Sequence, residues 1–159
     1  INHYADKGLD NGHPMNHGGQ TAFDFGTVKY VNAIHSSSFP DGTYAGNPGG
    51  FVLQTQEGPA FYFSGDTALT YDMKLIGEEF DLDFAFMCIG DNFTMGPEDA
   101  VKAAQFVGVD TVIGMHYDTF PPIKIDHENA GNIFQNSGKT LILPEIGQGL
   151  DFGELRRAA

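Results

Sequence analysis

The stretch Phe84-Ala85-Phe86-Met87-Cys88-Ile89-Gly90-Asp91 decides how the rest of the chain is read. Its six apolar residues show no alternation, which marks a strand covered on both faces. Gly90-Asp91 then gives it a sharp polar exit. Upstream, Met73, Ile76 and Phe80 fall on one stripe at helical spacing, so a helix is predicted over 71–80. Downstream, Pro97-Glu98-Asp99 opens a predicted helix to Val107, with Pro tolerated in the first turn and the acids complementing the helix dipole. Thr111-Val112-Ile113-Gly114 reads as a second buried strand. Asp126 caps a predicted helix running to Ser137, with Gly138 after its end, and Thr140 to Leu143 reads as a last strand.

Before Tyr71 the period is different. Thr21–Phe25 and Val28–Ala33 flank Gly26 as a predicted hairpin, and Phe51–Thr55 and Ala60–Ser64 flank Glu57-Gly58-Pro59 as a second. Residues 35–50, rich in Ser, Gly, Pro and Asn, are predicted as a long loop between them. Ile1–Lys7 reads as the tail of a helix stopped by Gly8. The order ββ-ββ-α-β-α-β-α-β implies a mixed, layered α/β fold with hairpins first and crossovers later. With no repeat, linker or low-complexity tract, residues 1–159 form one domain or part of one.

Composition narrows the function. The 159 residues are enough for a real core, and 41% hydrophobic content with 13% aromatics excludes disorder. Eight Lys and Arg against 21 Asp and Glu give a net charge of −13. That balance argues against gripping nucleic-acid backbone or an anionic membrane. No apolar run approaches the roughly 20 residues of a spanning helix. The single cysteine, Cys88, lies within the apolar run and reads as inert core. A reduced, cytoplasmic setting is the expectation.

The chemistry-bearing residues follow the strands. His35 comes after Val31–Ile34, Asp66 after Phe61–Ser64, Asp91 after Phe86–Ile89 and His116 after Val112–Met115. In layered α/β folds such strand ends converge on one rim, where ligand sites form. Imidazole and carboxylate together suit zinc, manganese or iron. A loop residue merely capping its strand is the bland reading of each alone; four together are harder to dismiss.

Five segments occur in order: His35-Ser36-Ser37-Ser38, Tyr44-Ala45-Gly46-Asn47-Pro48, Ser64-Gly65-Asp66-Thr67, Ile89 through Pro97, and Met115-His116-Tyr117-Asp118-Thr119-Phe120-Pro121. On these the chain resembles the metallo-β-lactamase superfamily, in the branch of small metal-dependent hydrolases close to the ascorbate-6-phosphate lactonases. The resemblance covers nearly the whole chain. It implies an αββα sandwich with metals at one rim, of which residues 1–159 would be the C-terminal half. It further implies His35 as a histidine of the first metal site, Asp66 as the carboxylate bridging both metals and central to catalysis, and His116 as the last histidine, on the second metal. Two divalent ions are the implied cofactors, zinc first, with manganese, nickel and iron compatible. A metal-activated hydroxide would then attack a small ester, lactone or phosphodiester.

The family's His-x-His-x-Asp-His string does not occur here. His13 and His17, at i and i+4, are expected in a solvated loop because Pro14 and Gly18-Gly19 break a helix, and His127 is expected exposed in a first helical turn. The expectation is therefore a C-terminal fragment, completed by the protein's own N-terminal segment as a separate polypeptide. A homo-oligomer is compatible with this, and neither nucleic acid nor membrane is an expected partner. Asp91, Asn92 and Tyr117 are candidate substrate contacts, with a helix-entry loop the equal alternative for the first two. An inactive scaffold keeping the fold and a nuclease remain as alternative functions.

Overall fold

The computed structural model describes residues 2–9, 11–151 and 153. A short helix, α1 (Asn2–Ala5), precedes a single seven-stranded sheet whose spatial order follows the chain: β1 (Gln20–Phe23), β2 (Gly26–Asn32), β3 (Gly49–Thr55), β4 (Ala60–Phe63), β5 (Phe84–Cys88), β6 (Thr111–Met115) and β7 (Thr140–Ile142). Pairing is antiparallel from β1 through β4 and parallel from β4 through β7. Helices α2 (Asp72–Glu79), α3 (Pro97–Val107) and α4 (His127–Asn136) make the three crossovers. A 3₁₀ turn at Pro121–Ile123 lies between β6 and α4. Hairpins first and crossovers later is the arrangement the changing period predicts.

The boundaries differ where pairing overrides local composition. Gly49 and Gly50, predicted as loop, extend β3 because they pair with Asn32 and Val31 at the end of the long β2. A Cβ on Gly49 would lie 2.3 Å from the Tyr30 ring, so a larger residue there would have to displace that side chain. His17 also departs from its expected solvated loop. Its imidazole stacks on Tyr30 at 4.8 Å, with Nε2 2.8 Å from the Pro48 carbonyl. The aromatic face on β2 gives the histidine a partner that its own neighbours in sequence do not.

One face of the sheet carries the main core. Val52, Tyr62, Ala85, Met87 and Val112 pack there against Met73, Ile76, Ala104, Val107 and Phe134 from the helices. The period of two sends Phe61, Phe84, Phe86, Ile113 and Ile142 to the opposite face, where they form a second cluster joined by Leu150. Cys88 is fully buried, as expected of core. Among the described residues, no helix is long and apolar enough to cross a membrane.

Candidate metal centre

Sheet polarity decides which strand ends can meet. β2 is antiparallel to β3 and β3 to β4, so β2 runs the same way as β4, β5 and β6. The exits carrying His35, Asp66, Asp91 and His116 therefore share one edge of the sheet.

A buried threonine ties those exits together. Thr67 Oγ1 accepts from Ile34 N at 2.9 Å, and Thr67 O accepts from Met95 N at 3.0 Å and from Cys88 Sγ at 3.5 Å. One residue thus links the loops after β2, β4 and β5. Thr67 lies within the Ser64-Gly65-Asp66-Thr67 motif, but nothing in that motif marks this role. Long-range backbone partners leave no local pattern.

The site itself forms around the loop after β6. His116 Nε2 lies 3.3 Å from Asp66 Oδ2. His116 is held at φ 56°, and its Nδ1 is buried without a hydrogen-bond partner. The carbonyl of His116 packs so tightly on the loop after β5 that a Cβ at Gly90 would lie 2.2 Å from it. His35 lines the same cavity as His116, a space of about 420 Å³ that Ser36 and Asn92 also border. His35 Nδ1 is 2.8 Å from the Ser36 carbonyl. A carbonyl only accepts, so Nδ1 carries the proton and Nε2 keeps a free lone pair, the tautomer a metal-ligating histidine needs.

The other sequence candidates separate. Asn92 borders the cavity, while the Asp91 carboxylate turns back to accept from Asn92 N at 2.8 Å. Tyr117 lies on the far side of the loop after β6, in a cleft of about 940 Å³ against Leu143–Gln148. Burial, and then the charge of Asp118, raises its phenol above the usual range. Beside it Asp118 accepts from Ile125 N at 3.0 Å and meets His127 Nε2 at 2.5 Å. The Ile125 N–H first, and then His127, hold this carboxyl below the ordinary carboxylate range. His127 is exposed, as the sequence predicts, and it pairs with Asp118, a contact that no local pattern marks.

Whether these donors fit a metal can be tested on the geometry. A carboxylate and an imidazole in contact, an orphaned buried ring nitrogen and a second imidazole with a free lone pair are the donor chemistry of a zinc-type cation. Among the described residues, however, no group of three or more His, Cys, Asp or Glu is close enough to hold a metal ion together. The set fits part of a centre and does not close one.

The Beta-lactamase superfamily domain matches residues 2–117 of the chain. The chain belongs to the metallo-β-lactamase superfamily. Its relatives include a UPF0173 metal-dependent hydrolase of Christiangramia forsetii, 57% identical over 150 residues, covering 94% of this chain and 66% of that protein. A protein of the same name from Flavobacterium johnsoniae is also 57% identical, over 149 residues, covering 94% of this chain and 65% of its own length. The chain thus spans just under two thirds of these superfamily relatives. Among solved structures, Igni18, a metallo hydrolase from Ignicoccus hospitalis, aligns with a TM-score of 0.77 at 30% identity, covering 91% of this chain and 63% of that one.

Proposed function

We propose that this chain carries part of the metal centre of a hydrolase, with His35, Asp66 and His116 as ligands, acting on a small ester, lactone or phosphodiester. The observation that carries the reading is the contact between Asp66 and His116 at the edge where His35 borders the same cavity as His116. Superfamily relatives named as metal-dependent hydrolases support it. Two divalent ions are proposed, zinc first, with Asp66 the bridging carboxylate. When bound, such ions lower the pKa of water and polarise the electrophile.

The chain's own residues supply placement. The Ser36 carbonyl fixes the His35 tautomer, Thr67 holds the loops after β2 and β5 in register, and Asn92 offers an amide to substrate at the cavity wall. The remaining ligands are proposed to come from the protein's own N-terminal segment as a separate polypeptide. The incomplete donor set and the second, aromatic face of the sheet, where Phe63 is exposed, support that part of the proposal. Asp66→Ala tests the whole. Loss of a bridging carboxylate lowers metal content as well as turnover, whereas full metal occupancy with unchanged activity refutes the assignment. A protein that takes up no metal would instead support the scaffold reading.

A further inference from the structure

Of the nine asparagines in the chain, Asn11 alone precedes a glycine. Asn11 and Gly12 lie between α1 and β1, outside any helix or strand, and both are exposed. This combination bears on covalent chemistry. An asparagine side chain is short enough for its amide carbon to meet the next residue's backbone nitrogen and close a ring. The meeting needs a backbone that no helix or strand holds, and a nitrogen that no side chain shields. Glycine supplies the second condition and the widest choice of backbone angles.

The other links of similar composition are held. Ser137, which follows Asn136 at the end of α4, donates its N–H to Phe134 O at 3.0 Å. Asn47 precedes Pro48, and proline has no N–H to lose. Asp41-Gly42 could close the same ring with loss of water. There Gly42 N donates to Phe39 O at 2.9 Å, while Asp41 Oδ1 accepts from Thr43 N at 3.0 Å and Thr43 Oγ1 at 2.7 Å. Those bonds must break before Asp41 and Gly42 can react.

We propose that Asn11 is a site of spontaneous deamidation, converting to isoaspartate and aspartate. Gly12 N bonds to Asn11 Cγ, the bond from that carbon to the side-chain nitrogen breaks, and ammonia leaves carrying the Gly12 amide proton. Water then opens the succinimide at either carbonyl. Its oxygen enters a carboxylate, one proton returns to the ring nitrogen and the other goes to solvent. Opening at one carbonyl gives aspartate. Opening at the other gives isoaspartate, in which the main chain runs through the former side chain and is longer by a carbon. That carbon enters a short span between two anchored points. Leu9 N donates to Tyr4 O at 3.0 Å. The His13 ring meets Phe23 edge-on at 5.4 Å, with Nε2 3.3 Å from Thr21 Oγ1. Isoaspartate at position 11 therefore displaces His13 from Phe23.

The purified protein is held in mildly alkaline buffer and sampled by anion exchange and by an ammonia assay. An acidic species is expected to accumulate, one negative charge beyond the net −13, with one ammonia released per converted chain. Peptide mapping with electron-transfer fragmentation locates the change at Asn11 and separates isoaspartate from aspartate. Gly12→Pro removes the attacking N–H, so conversion at Asn11 is lost; circular dichroism checks that this variant folds. Asn11→Asp carries the new charge on an unaltered main chain, so its His13 ring signals in NMR stay those of the starting protein, whereas those of the isoaspartate form move. An absence of any acidic species overturns the proposal, as does earlier conversion at another asparagine or undiminished conversion in Gly12→Pro. Isoaspartate at position 11 with unmoved His13 signals overturns the displacement.

Discussion

Gly90→Ala is the sharpest probe of how the sheet positions His116. Gly90 is buried where the exits of β5 and β6 cross, and the added Cβ would lie 2.2 Å from the His116 carbonyl oxygen and 3.0 Å from Ile123 Cβ. Real Cβ contacts do not fall below 3.0 Å, so the two exits must part by about 0.8 Å. The obstructing atom is backbone, which cannot swing aside as a side chain can. Overpacking of this kind costs about 1–3 kcal/mol, which at this chain length lowers Tm by roughly 3–10 °C. His116 moves with its carbonyl, so the 3.3 Å contact with Asp66 is lost too, and zinc uptake should weaken beyond the stability loss. Thermal unfolding by circular dichroism gives the first quantity and zinc titration the second. Gly114→Ala is the control. Its Cβ would meet Ile89 Cδ1 at 2.6 Å and Leu143 Cδ2 at 2.8 Å, both ends of flexible side chains, so a smaller loss is expected. An unchanged Tm and unchanged zinc uptake in Gly90→Ala would refute the reasoning.

Thr67→Val keeps the shape but removes the hydroxyl that accepts from Ile34 N. Leaving that N–H unpaired costs about 1–3 kcal/mol, and hydrogen exchange at Ile34 should speed up; unchanged protection there would show that the tie carries nothing. Asp126→Ala removes the cap whose carboxylate accepts from Asn129 N at 3.0 Å. The expected loss is about 1 kcal/mol in urea unfolding, with zinc uptake untouched because α4 donates no proposed ligand.

How far the sequence could be read follows from the range of the interactions. The continuous run Phe84–Ile89 and the helical stripe Met73–Ile76–Phe80 are local patterns, and the structure has a strand and a helix there. The Asp126 cap, too, is written in neighbouring residues. The shared edge of His35, Asp66, Asp91 and His116 follows from strand direction, and for His35 it depends on the antiparallel return of β3 on β2 across the long loop between them. Other features bridge residues far apart in the chain and leave no period. Thr67 reaches 33 residues to Ile34, and His17 reaches 31 to Pro48. The pairing of Asp118 with His127 spans only nine residues but depends on the 3₁₀ turn between them. The stacking of Phe93 on Phe120 depends on two separate loops arriving together.

Backbone strain marks the same edge independently. Among the described residues, the non-glycine residues at positive φ are Asp91, Asn92, His116 and Asp118, all in the loops after β5 and β6. Asp and Asn tolerate this region because their short side chains can bond the nearby backbone. Asp91 and Asp118 do so, accepting from Asn92 N and Ile125 N, which offsets part of the cost locally. His116 has no such compensation. Its Nδ1 is buried and unpaired, and its Nε2 meets only the Asp66 carboxylate. A left-handed residue costs of order 1–3 kcal/mol and persists only where its surroundings over-determine it. Here the surroundings are the Gly90 contact behind the His116 carbonyl and the loop that Asp118 N closes onto Ile123 O at 2.8 Å. Both hold the backbone, and neither satisfies the ring. The proposed role of His116 as a ligand accords with a strained residue whose imidazole its own neighbours leave unpaired, and on that proposal moving His116 should lower metal uptake.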